Sequence, residues 1–243
     1  MNPLYRRDMK SDGENLREIP LGIGFYTVPE AARLLGVSAL SIRRWLGGYT
    51  FIQNGKEIRM PPLWKPQLPA YEHHLELGFR DLIELRFVKA FLEAGLGLKT
   101  IRSCLEYARE CVNDGHPFST RRFQTDGRTI FLDSLHRSGV SELLDLRRRQ
   151  YVLKQIIERT FKDLDIESDA VTRWRPFGGK KSIVIDPRRA FGQPIAAVAG
   201  VPTVTLADAV EAEGNVTRVA YLFRVSPGVV KDAVQFQKAL LTA

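Results

Sequence analysis

Residues 26–46, YTVPEAARLLGVSALSIRRWL, carry the pattern of two short helices joined by a tight turn. Thr27, followed three residues later by Glu30, forms a capping box, which begins a helix by satisfying its first backbone N–H groups. Gly36 ends that helix, because glycine readily adopts the left-handed conformation found at helix ends. Ser38 can cap a second helix. The stretch therefore predicts a helix-turn-helix.

Each of the two predicted helices has an apolar face. The apolar residues recur at helical spacing: Val28, Ala31, Ala32 and Leu35, then Leu40, Ile42, Trp45 and Leu46. The other face of the second helix carries hydroxyl and guanidinium groups, which suit base edges and phosphates in a DNA major groove. These candidate DNA contacts are Ser38, Ser41, Arg43 and Arg44. The alternative is an ordinary helical hairpin with a solvated basic face.

A β-hairpin is predicted directly after the two helices. Residues 50–59, TFIQNGKEIR, place Asn54-Gly55 between two strand-like runs, and this pair is preferred in type I′ turns. Two helices followed at once by a basic-tipped hairpin are typical of a winged helix. In that arrangement Lys56 and Arg59 reach the phosphate backbone beside the groove. The hairpin therefore favours DNA binding over a plain helical hairpin.

Positive charge is concentrated in two places along the 243 residues. The chain has a net charge of +8 and an isoelectric point near 9.6, which favours a polyanionic partner. Residues 1–70 and residues 169–195 each carry +4 when Lys and Arg are counted against Asp and Glu. The charge therefore lies in the predicted DNA-binding region and in one later segment.

Cysteine use and hydropathy predict a cytoplasmic protein. Cys104 and Cys111 are seven residues apart, so on one helix they share a face at a separation too long for a disulfide. Free buried thiols are typical of a reducing cytoplasm. The first residues lack the apolar core of a signal peptide, and no apolar run approaches the ~20 residues that span a bilayer. We therefore expect no membrane partner.

Prolines and glycines divide the N-terminal half beyond the hairpin. Residues 60–70, MPPLWKPQLPA, contain four prolines and predict an extended connector. Long helices are predicted over residues 77–92 and 98–110, separated by Gly95 and Gly97. The apolar set of the first long helix is Leu82, Leu85, Phe87, Val88 and Phe91.

The middle of the chain combines strand and helix patterns. Two strand-like runs flank Asp126-Gly127, so residues 121–132 predict a second β-hairpin. We expect this hairpin to pair with a strand over residues 183–186. A long helix is predicted over residues 143–161, and residues 173–182, RWRPFGGKKS, predict a flexible basic connector.

The C-terminal residues predict a small helical bundle. Helical patterns cover residues 216–223 and 228–241. Ser226 as the cap, with Pro227 at the first helical position, marks the start of the last helix. The last two helices, joined by a short turn, predict a second unit of the helix-turn-helix type.

The N-terminal order of elements resembles the DNA-binding domain of the MerR family. The helix-turn-helix and hairpin are followed by FRDLIELRFVKAFLEAGLGLKTIRSCLE. In that family a recognition helix of the form T-L-R-Y-Y precedes the wing, and residues 41–45, SIRRW, occupy that place. The resemblance implies that Arg43 contacts DNA and that Arg59 is the basic wing residue. The proline-rich connector and the lack of a C-terminal dimerisation coiled coil depart from the family, so effector sensing of the MerR kind does not follow.

The rest of the chain resembles toxin–antitoxin proteins. The C-terminal patterns I-x-I-D-P, G-x-P-I, G-V-P-T and V-A-Y-L-F-R-V-S-P are similar to an uncharacterised family of small tri-helical domains linked to toxin–antitoxin operons. With R-F-x-T-D-G-R-x-I-F-L and R-W-R-P as well, residues 25–240 resemble the larger VapB-type antitoxins. The resemblance implies an antitoxin that neutralises a PIN-domain ribonuclease and represses its own operon.

Together these patterns predict a mostly α fold in four parts. The first two are a flexible arm over residues 1–22 and a MerR-like winged helix-turn-helix domain over residues 23–115. A hairpin, a long helix and a basic linker follow over residues 116–182 and supply a small central β element. The last part is a C-terminal helix-turn-helix-like helical bundle over residues 183–243.

Two macromolecular partners are expected. The first is a double-stranded DNA operator, and the second is the PIN-type toxin protein that the resemblance implies. PIN active sites gather carboxylates around a metal ion, so an inhibitor gains from arginines that pair with them and from aromatic anchors. The candidate toxin-binding residues are Arg173, Trp174, Arg175, Phe177, Arg188 and Arg189. The alternative for this segment is a solubilising loop or a second phosphate contact.

We also expect a homodimer, because palindromic operators are matched by two-fold symmetric readers. The apolar residues of the C-terminal bundle are the first candidates for the interface. They equally suit the core of that bundle: Val219, Leu222, Phe223, Val230, Val234 and Phe236.

The sequence shows no catalytic constellation. The four histidines lack metal-ligand spacing with the cysteines, and no Ser, His and Asp arrangement carries a nucleophile signature. We therefore expect no enzymatic activity, no cofactor and no metal site. The alternative to an antitoxin is a stand-alone MerR- or excisionase-like transcription regulator.

Overall fold

The computed structural model describes residues 21–70, 72, 74–137 and 146–242, without the side chains of residues 146–150. Most of the described residues are helical, and the strands form small antiparallel sheets. The prediction of a mostly α fold with a small β element is confirmed in this coarse form. The predicted N-terminal arm lies outside the described residues, apart from Leu21 and Gly22.

The N-terminal half combines four helices with two small sheets, in which β1 pairs with β4 and β2 pairs with β3. Both sheets are two-stranded and antiparallel. The elements are β1 (Tyr26–Thr27), α1 (Val28–Leu35), α2 (Ala39–Gly47), β2 (Tyr49–Gln53), β3 (Lys56–Met60), β4 (Glu76–Leu77), α3 (Phe79–Glu93) and α4 (Leu98–Val112).

Helices α1 and α2 begin and end at the residues that the sequence predicts. The Thr27 hydroxyl accepts a hydrogen bond from the Glu30 N–H at 3.4 Å, and the Glu30 carboxylate accepts one from the Thr27 N–H at 2.8 Å. Gly36 ends α1 in the left-handed conformation, with φ of 59°. Ser38 caps α2 by accepting from the Ser41 N–H at 3.0 Å. Local capping chemistry thus fixes the helix-turn-helix.

The proline-rich connector forms no regular helix, as its prolines predict; residues 61–70 form neither helix nor strand and pack firmly on the N-terminal core. Its Leu63 and Trp64 are buried. Asp81, near the start of α3, accepts hydrogen bonds from the Trp64 indole N–H at 2.7 Å and from the Gln67 N–H at 2.9 Å. Asp81 is fully buried, so these donors offset the cost of removing a carboxylate from water.

The second half of the described chain contains five helices and a four-stranded sheet. The elements are α5 (Arg121–Arg137), α6 (Leu146–Phe161), β5 (Leu164–Glu167), β6 (Ala170–Trp174), β7 (Ile183–Ile185), β8 (Pro194–Ala196), α7 (Thr203–Glu213), α8 (Val216–Phe223) and α9 (Pro227–Leu241).

The β-hairpin predicted over residues 121–132 is wrong, because α5 occupies this stretch. Thr120 begins the helix, since its hydroxyl accepts a hydrogen bond from the backbone N–H three residues later at 3.1 Å. Gly127 lies inside the helix, where a Cβ atom would stand 3.2 Å from the Ile157 side chain of α6. The glycine therefore serves a close contact between helices and not a turn.

The predicted pairing of residues 121–132 with residues 183–186 is wrong for the same reason. Strand β7 instead pairs with β6 on one side and with β8 on the other, in the sheet order β5-β6-β7-β8. Arg173 and Trp174 end strand β6, so they are not part of a flexible connector. Strands β5 and β6 lie before residue 183, and strands β7 and β8 begin at or after it. One sheet therefore spans the domain boundary that the sequence predicts at residue 183.

The apolar interior forms two clusters. The larger cluster lies beneath α1 to α6 and contains a group of phenylalanines around Phe87, whose ring centroid is 5.0 Å from that of Phe161. Cys104 and Cys111 on α4 are free thiols, as predicted, and Cys104 is fully buried. The smaller cluster lies between α7, α8 and α9: Ala196, Leu206, Val219, Ala220, Val230 and Ala233.

The C-terminal bundle buries much of the apolar set that the sequence offers for a dimer interface. Val219, Val230 and Phe236 are buried within the chain itself. Leu222 and its neighbour Tyr221 are exposed on α8. The predicted interface residues therefore include core residues of the bundle and one exposed residue, Leu222.

Candidate nucleic-acid interface

The exposed face of α2 presents two arginines. Arg43 and Arg44 are exposed, whereas Ile42 between α2 and the core is fully buried. The Ser38 and Ser41 hydroxyl oxygens lie 2.8 Å apart, and the Ser38 oxygen also caps the helix. Of the four predicted contacts on this helix, the two arginines are thus the ones that carry charged donors, while the two serine hydroxyls share one hydrogen bond with each other.

The β2–β3 hairpin follows α2 and has the predicted turn. Asn54 and Gly55 both have positive φ, at 52° and 73°, as a type I′ turn requires. The Arg44 guanidinium lies over the Tyr49 ring of β2, 5.7 Å from its centroid. This cation–π contact places the helix and the hairpin side by side.

Lys56 and Arg59 lie on opposite faces of the hairpin. Lys56 is opposite Gln53 in the register, and Arg59 is opposite Thr50. Residues directly opposite share a face, and faces alternate along a strand, so the two cations point to different sides. The face with Lys56 also carries Tyr49, against which Arg44 packs. The structure therefore groups Arg44 with Lys56 and separates Arg59 from them.

These four side chains carry charge that no neighbouring carboxylate neutralises. Arg43, Arg44, Lys56 and Arg59 are all exposed. Across residues 21–70, 72, 74–137 and 146–242, none of them forms an ion pair. An unpaired cation on an exposed surface is available to a phosphate without the cost of breaking an internal ion pair.

The second basic segment, residues 169–195, is arranged differently. Arg173 contacts Glu167 at 3.0 Å and Asp186 at 3.1 Å. Arg188 contacts the same two carboxylates. The remaining paired cations here are Arg175, 2.6 Å from Asp165, and Lys180, 2.7 Å from Asp232.

Asp186 is the centre of this ion-pair network. Burial alone would raise the pKa of its carboxyl group. Hydrogen bonds from the backbone and side chain of Arg188 and from the side chain of Arg173 outweigh that effect, so the pKa lies below its usual value. The arginines of this segment therefore stabilise a charge within the chain.

The aromatic residues of the predicted toxin-binding set also have internal partners. Trp174 is buried, and its indole N–H donates to Asp163 at 3.0 Å. Arg86 of α3 stacks over the Trp174 ring at 4.6 Å and pairs with Asp163 at 2.8 Å. Phe177 packs edge-on against Phe236 of α9, with the ring centroids 5.8 Å apart. Trp174 and Phe177 thus belong to the packing of the chain.

Arg189 is the exception among the six predicted toxin-binding residues. Its guanidinium donates to the Ala197 carbonyl at 3.1 Å, and it pairs with no carboxylate in the described part of the chain. It is exposed and precedes Phe191, which is also exposed. Sequence reasoning did not single out Phe191, although the pattern R-R-A-F places it beside the arginines.

Glu84 on α3 is another carboxyl group that is fully buried. Burial raises its pKa to about 7, while His116, Arg80 and hydrogen bonds from the backbone N–H groups of Phe118 and Ser119 act in the opposite direction. The Ser119 N–H donates to the carboxyl oxygen at 2.9 Å. Glu84 therefore titrates near neutral pH without reaching the surface.

No group of three or more His, Cys, Asp and Glu side chains in the described ranges could hold a metal ion. No helix within the same ranges is long and apolar enough to cross a membrane.

The geometry defines the N-terminal part as a helix-turn-helix domain of the DNA-binding class. In agreement, residues 24–105 match a family model described as "Putative DNA-binding HTH domain". The chain is 27% identical over 237 residues to the "Putative antitoxin VapB45" of Mycobacterium tuberculosis, covering 91% of this chain and 97% of that protein. The crystal structure of Rv2018 from Mycobacterium tuberculosis has the same fold, with a TM-score of 0.68 at 24% identity over 86% of this chain and 96% of that one.

Proposed function

We propose that this chain is the DNA-binding antitoxin of a type II toxin–antitoxin system. It represses its own operon and neutralises a PIN-type ribonuclease. The four unpaired cations on α2 and the β2–β3 hairpin carry the DNA-binding half of the proposal. Similarity to an antitoxin along nearly the whole chain supports the toxin-binding half.

On DNA, α2 lies in the major groove in the MerR-like manner, and the β2–β3 hairpin acts as the wing. Arg43 and Arg44 contact base edges and phosphates, together with the hydroxyls of Ser38 and Ser41. Lys56 and Arg59, on opposite faces of the hairpin, contact phosphates on its two sides.

The chain acts on its operator as a homodimer. One helix-turn-helix covers few base pairs, so a two-fold symmetric pair doubles the contact. Tyr221 and Leu222, exposed on α8, are among the exposed apolar residues of the C-terminal bundle that this contact could use, with Val204 on α7 and Leu241 on α9. Monomeric behaviour in sedimentation at micromolar concentration would count against the dimer.

Co-expression with the adjacent gene tests the proposal. We expect that gene to encode a PIN-type ribonuclease whose toxicity to growth is relieved by this chain. The same chain should bind the DNA upstream of the gene pair, and a variant with Arg43 and Arg44 changed to Ala should not. Absence of a PIN-type neighbour, or of any complex with it, would contradict the antitoxin function.

A stand-alone MerR- or excisionase-like regulator is the second candidate, and one groove favours it. The groove lies between α3 and α6, has a volume of about 480 Å³, and is lined in part by Arg86, Lys89 and Arg159. The Lys89 ammonium donates to the Leu35 carbonyl at the end of α1, so an occupant would contact a residue that holds the helix-turn-helix. This candidate predicts operator binding that changes with a small-molecule ligand and requires no toxin.

A further inference from the structure

One turn near the basic segment concentrates exposed apolar surface beside an unpaired arginine. The 3-10 turn Ala190–Gly192 presents Phe191, which is 64% exposed. Arg189 precedes it and reaches across to the Ala197 carbonyl, next to Val198, which is 90% exposed. We call Arg189, Phe191 and Val198 the turn patch.

The backbone of the turn holds Phe191 outward in an unusual conformation. Ala190 and Phe191 both have positive φ, at 46° and 53°, a region that side chains with a Cβ rarely adopt. The turn is closed by hydrogen bonds from the Gly192 N–H to the Arg189 carbonyl and from the Gln193 N–H to the Ala190 carbonyl, both at 2.9 Å. Strained conformations of this kind cluster at binding and catalytic sites, where the surroundings impose them.

The turn is also fixed to the strand that leads into α1. The Phe25 N–H donates to the Phe191 carbonyl at 2.9 Å, and the Tyr26 hydroxyl donates to the Gly192 carbonyl at 2.8 Å. Tyr26 is buried, and its ring leaves no room for a side chain at position 192. The turn patch is therefore rigid, so a partner would bind it with little loss of conformational entropy.

Charge and chemistry together indicate the kind of partner. Arg189 keeps donors that no carboxylate of the described chain occupies, and a guanidinium suits bidentate pairing with a carboxylate. Arginine is enriched among residues that dominate binding energy, and exposed aromatic rings, phenylalanine included, are enriched in protein interfaces. The patch thus fits a protein surface with an apolar recess next to a carboxylate.

We infer that the turn patch is the surface on which the acidic protein partner docks. Phe191 supplies the apolar anchor, and Arg189 pairs with a carboxylate of the partner. The inference rests on the proposed function, because the PIN-type toxin is the partner whose carboxylate-rich site would pair with Arg189. It moves the main contact from Arg173, Trp174 and Arg175, which have internal partners, to the adjacent turn.

Two substitutions in the full-length chain test the turn patch while preserving its backbone. Phe191→Asn removes the ring, and asparagine tolerates the left-handed conformation. Arg189→Gln removes the charge and keeps a donor for the Ala197 carbonyl. Tyr151→Gln, at an exposed aromatic residue of α6, and Lys181→Gln, at an exposed lysine of the same segment, are the matched controls.

The measurement is calorimetric titration with the purified PIN-type protein encoded beside this gene. We expect Phe191→Asn and Arg189→Gln each to weaken binding about tenfold or more, as for residues that dominate an interface. Both controls should stay within about twofold. Operator binding by all four variants should remain at the wild-type level, which shows that each variant is folded.

The outcomes separate this inference from the proposed function. If the wild type forms a complex and both patch variants bind equally well, the toxin uses another surface and the turn patch is overturned. If Phe191→Asn instead changes the sedimentation of the chain alone, the patch is a contact between copies, which also overturns it. If the wild type forms no complex, the antitoxin function fails first and the inference with it.

Discussion

The two basic regions of this chain have the same net charge in the sequence and opposite arrangements in the structure. Residues 1–70 and residues 169–195 each carry +4. On the helix-turn-helix and its hairpin, the cations are exposed and form no ion pair within the described ranges. In the later segment, Arg173, Arg175 and Arg188 bind carboxylates of the same sheet or its loops.

The difference teaches that net charge alone does not identify a binding surface. A cation already paired with a carboxylate must lose that partner before it can bind another anion, and the shared partner Asp186 is buried, so it would be left without counter-charge. An exposed and unpaired cation exchanges only its hydration and counterions. The first region is therefore suited to binding DNA, and the second mainly stabilises the fold.

The largest expected effect comes from breaking an ion pair at the edge of the second region. Asp163→Asn leaves Arg86, whose side chain is 15% exposed, without its carboxylate and weakens the acceptor for the Trp174 indole. We expect the free energy of unfolding to fall by about 3–5 kcal/mol. Urea denaturation measures this change.

Arg43→Gln is the control for that prediction. It changes a cation of the first region that has no internal partner, so the free energy of unfolding should change by less than about 0.5 kcal/mol. A comparable loss of stability in both variants would remove the distinction between the two regions.

A pH titration sharpens the comparison, because Asp186 of the second region and Glu84 in the buried core of α3 have pKa values shifted in opposite directions. The pKa of Asp186 is lowered by its arginines, whereas the pKa of Glu84 is raised to about 7 by burial. Glu84 binds a proton more tightly in the folded chain than in the unfolded chain. Its contribution to stability is therefore complete below about pH 4.5 and is lost as the pH rises to about 7.

The expected loss from Glu84 is roughly 3 kcal/mol between these limits. Asp186 acts in the opposite direction and only at acidic pH, below its ordinary pKa, so the two effects do not overlap near neutrality. Urea denaturation from pH 5 to pH 8 should show stability falling in the wild type and a flatter profile in Glu84→Gln. Identical profiles would mean that Glu84 is ionised throughout this range.

Arg43→Ala should produce a smaller effect that appears only on DNA. Loss of one groove contact is expected to weaken operator binding by about 1–3 kcal/mol and to relax the preference for the operator sequence. Fluorescence anisotropy with operator and scrambled duplexes measures both quantities. An equal loss on the two duplexes would reassign Arg43 to a phosphate contact.

Sequence reasoning located the elements that local chemistry determines. The capping box at Thr27, the left-handed Gly36 and the Ser226-Pro227 start of α9 each depend on residues within one helical turn. Asn54-Gly55 likewise fixes its hairpin without help from distant parts of the chain. The helix-turn-helix could therefore be predicted, together with the exposure of Arg43 and Arg44 on its second helix.

The central region could not be predicted, because its signals depend on distant partners. Asp126-Gly127 is a turn pair by local preference, yet Gly127 is selected by the approach of Ile157 from another helix. A helical signal was present nevertheless, in Thr120 as the cap and in the burial of Phe123, Gly127 and Phe131 at helical spacing.

The pairing of the second basic region is also beyond local patterns. Arg173 meets Asp186 because strands β6 and β7 are adjacent, and Lys180 meets Asp232 from α9. These contacts join residues that lie far apart in the sequence. The count of charges is readable from the sequence, but their neutralisation depends on the fold.

The salt dependence of operator binding tests most directly whether the unpaired cations, and not the paired ones, bind DNA. Arg44→Gln with Lys56→Gln is compared with Arg175→Gln with Lys180→Gln, so each double variant loses one arginine and one lysine. We predict that the slope of log K against log salt falls by about 2 in the first variant, at roughly 0.9 for each phosphate contact, and is unchanged in the second. An equal fall in both variants, or a fall only in the second, would contradict the account.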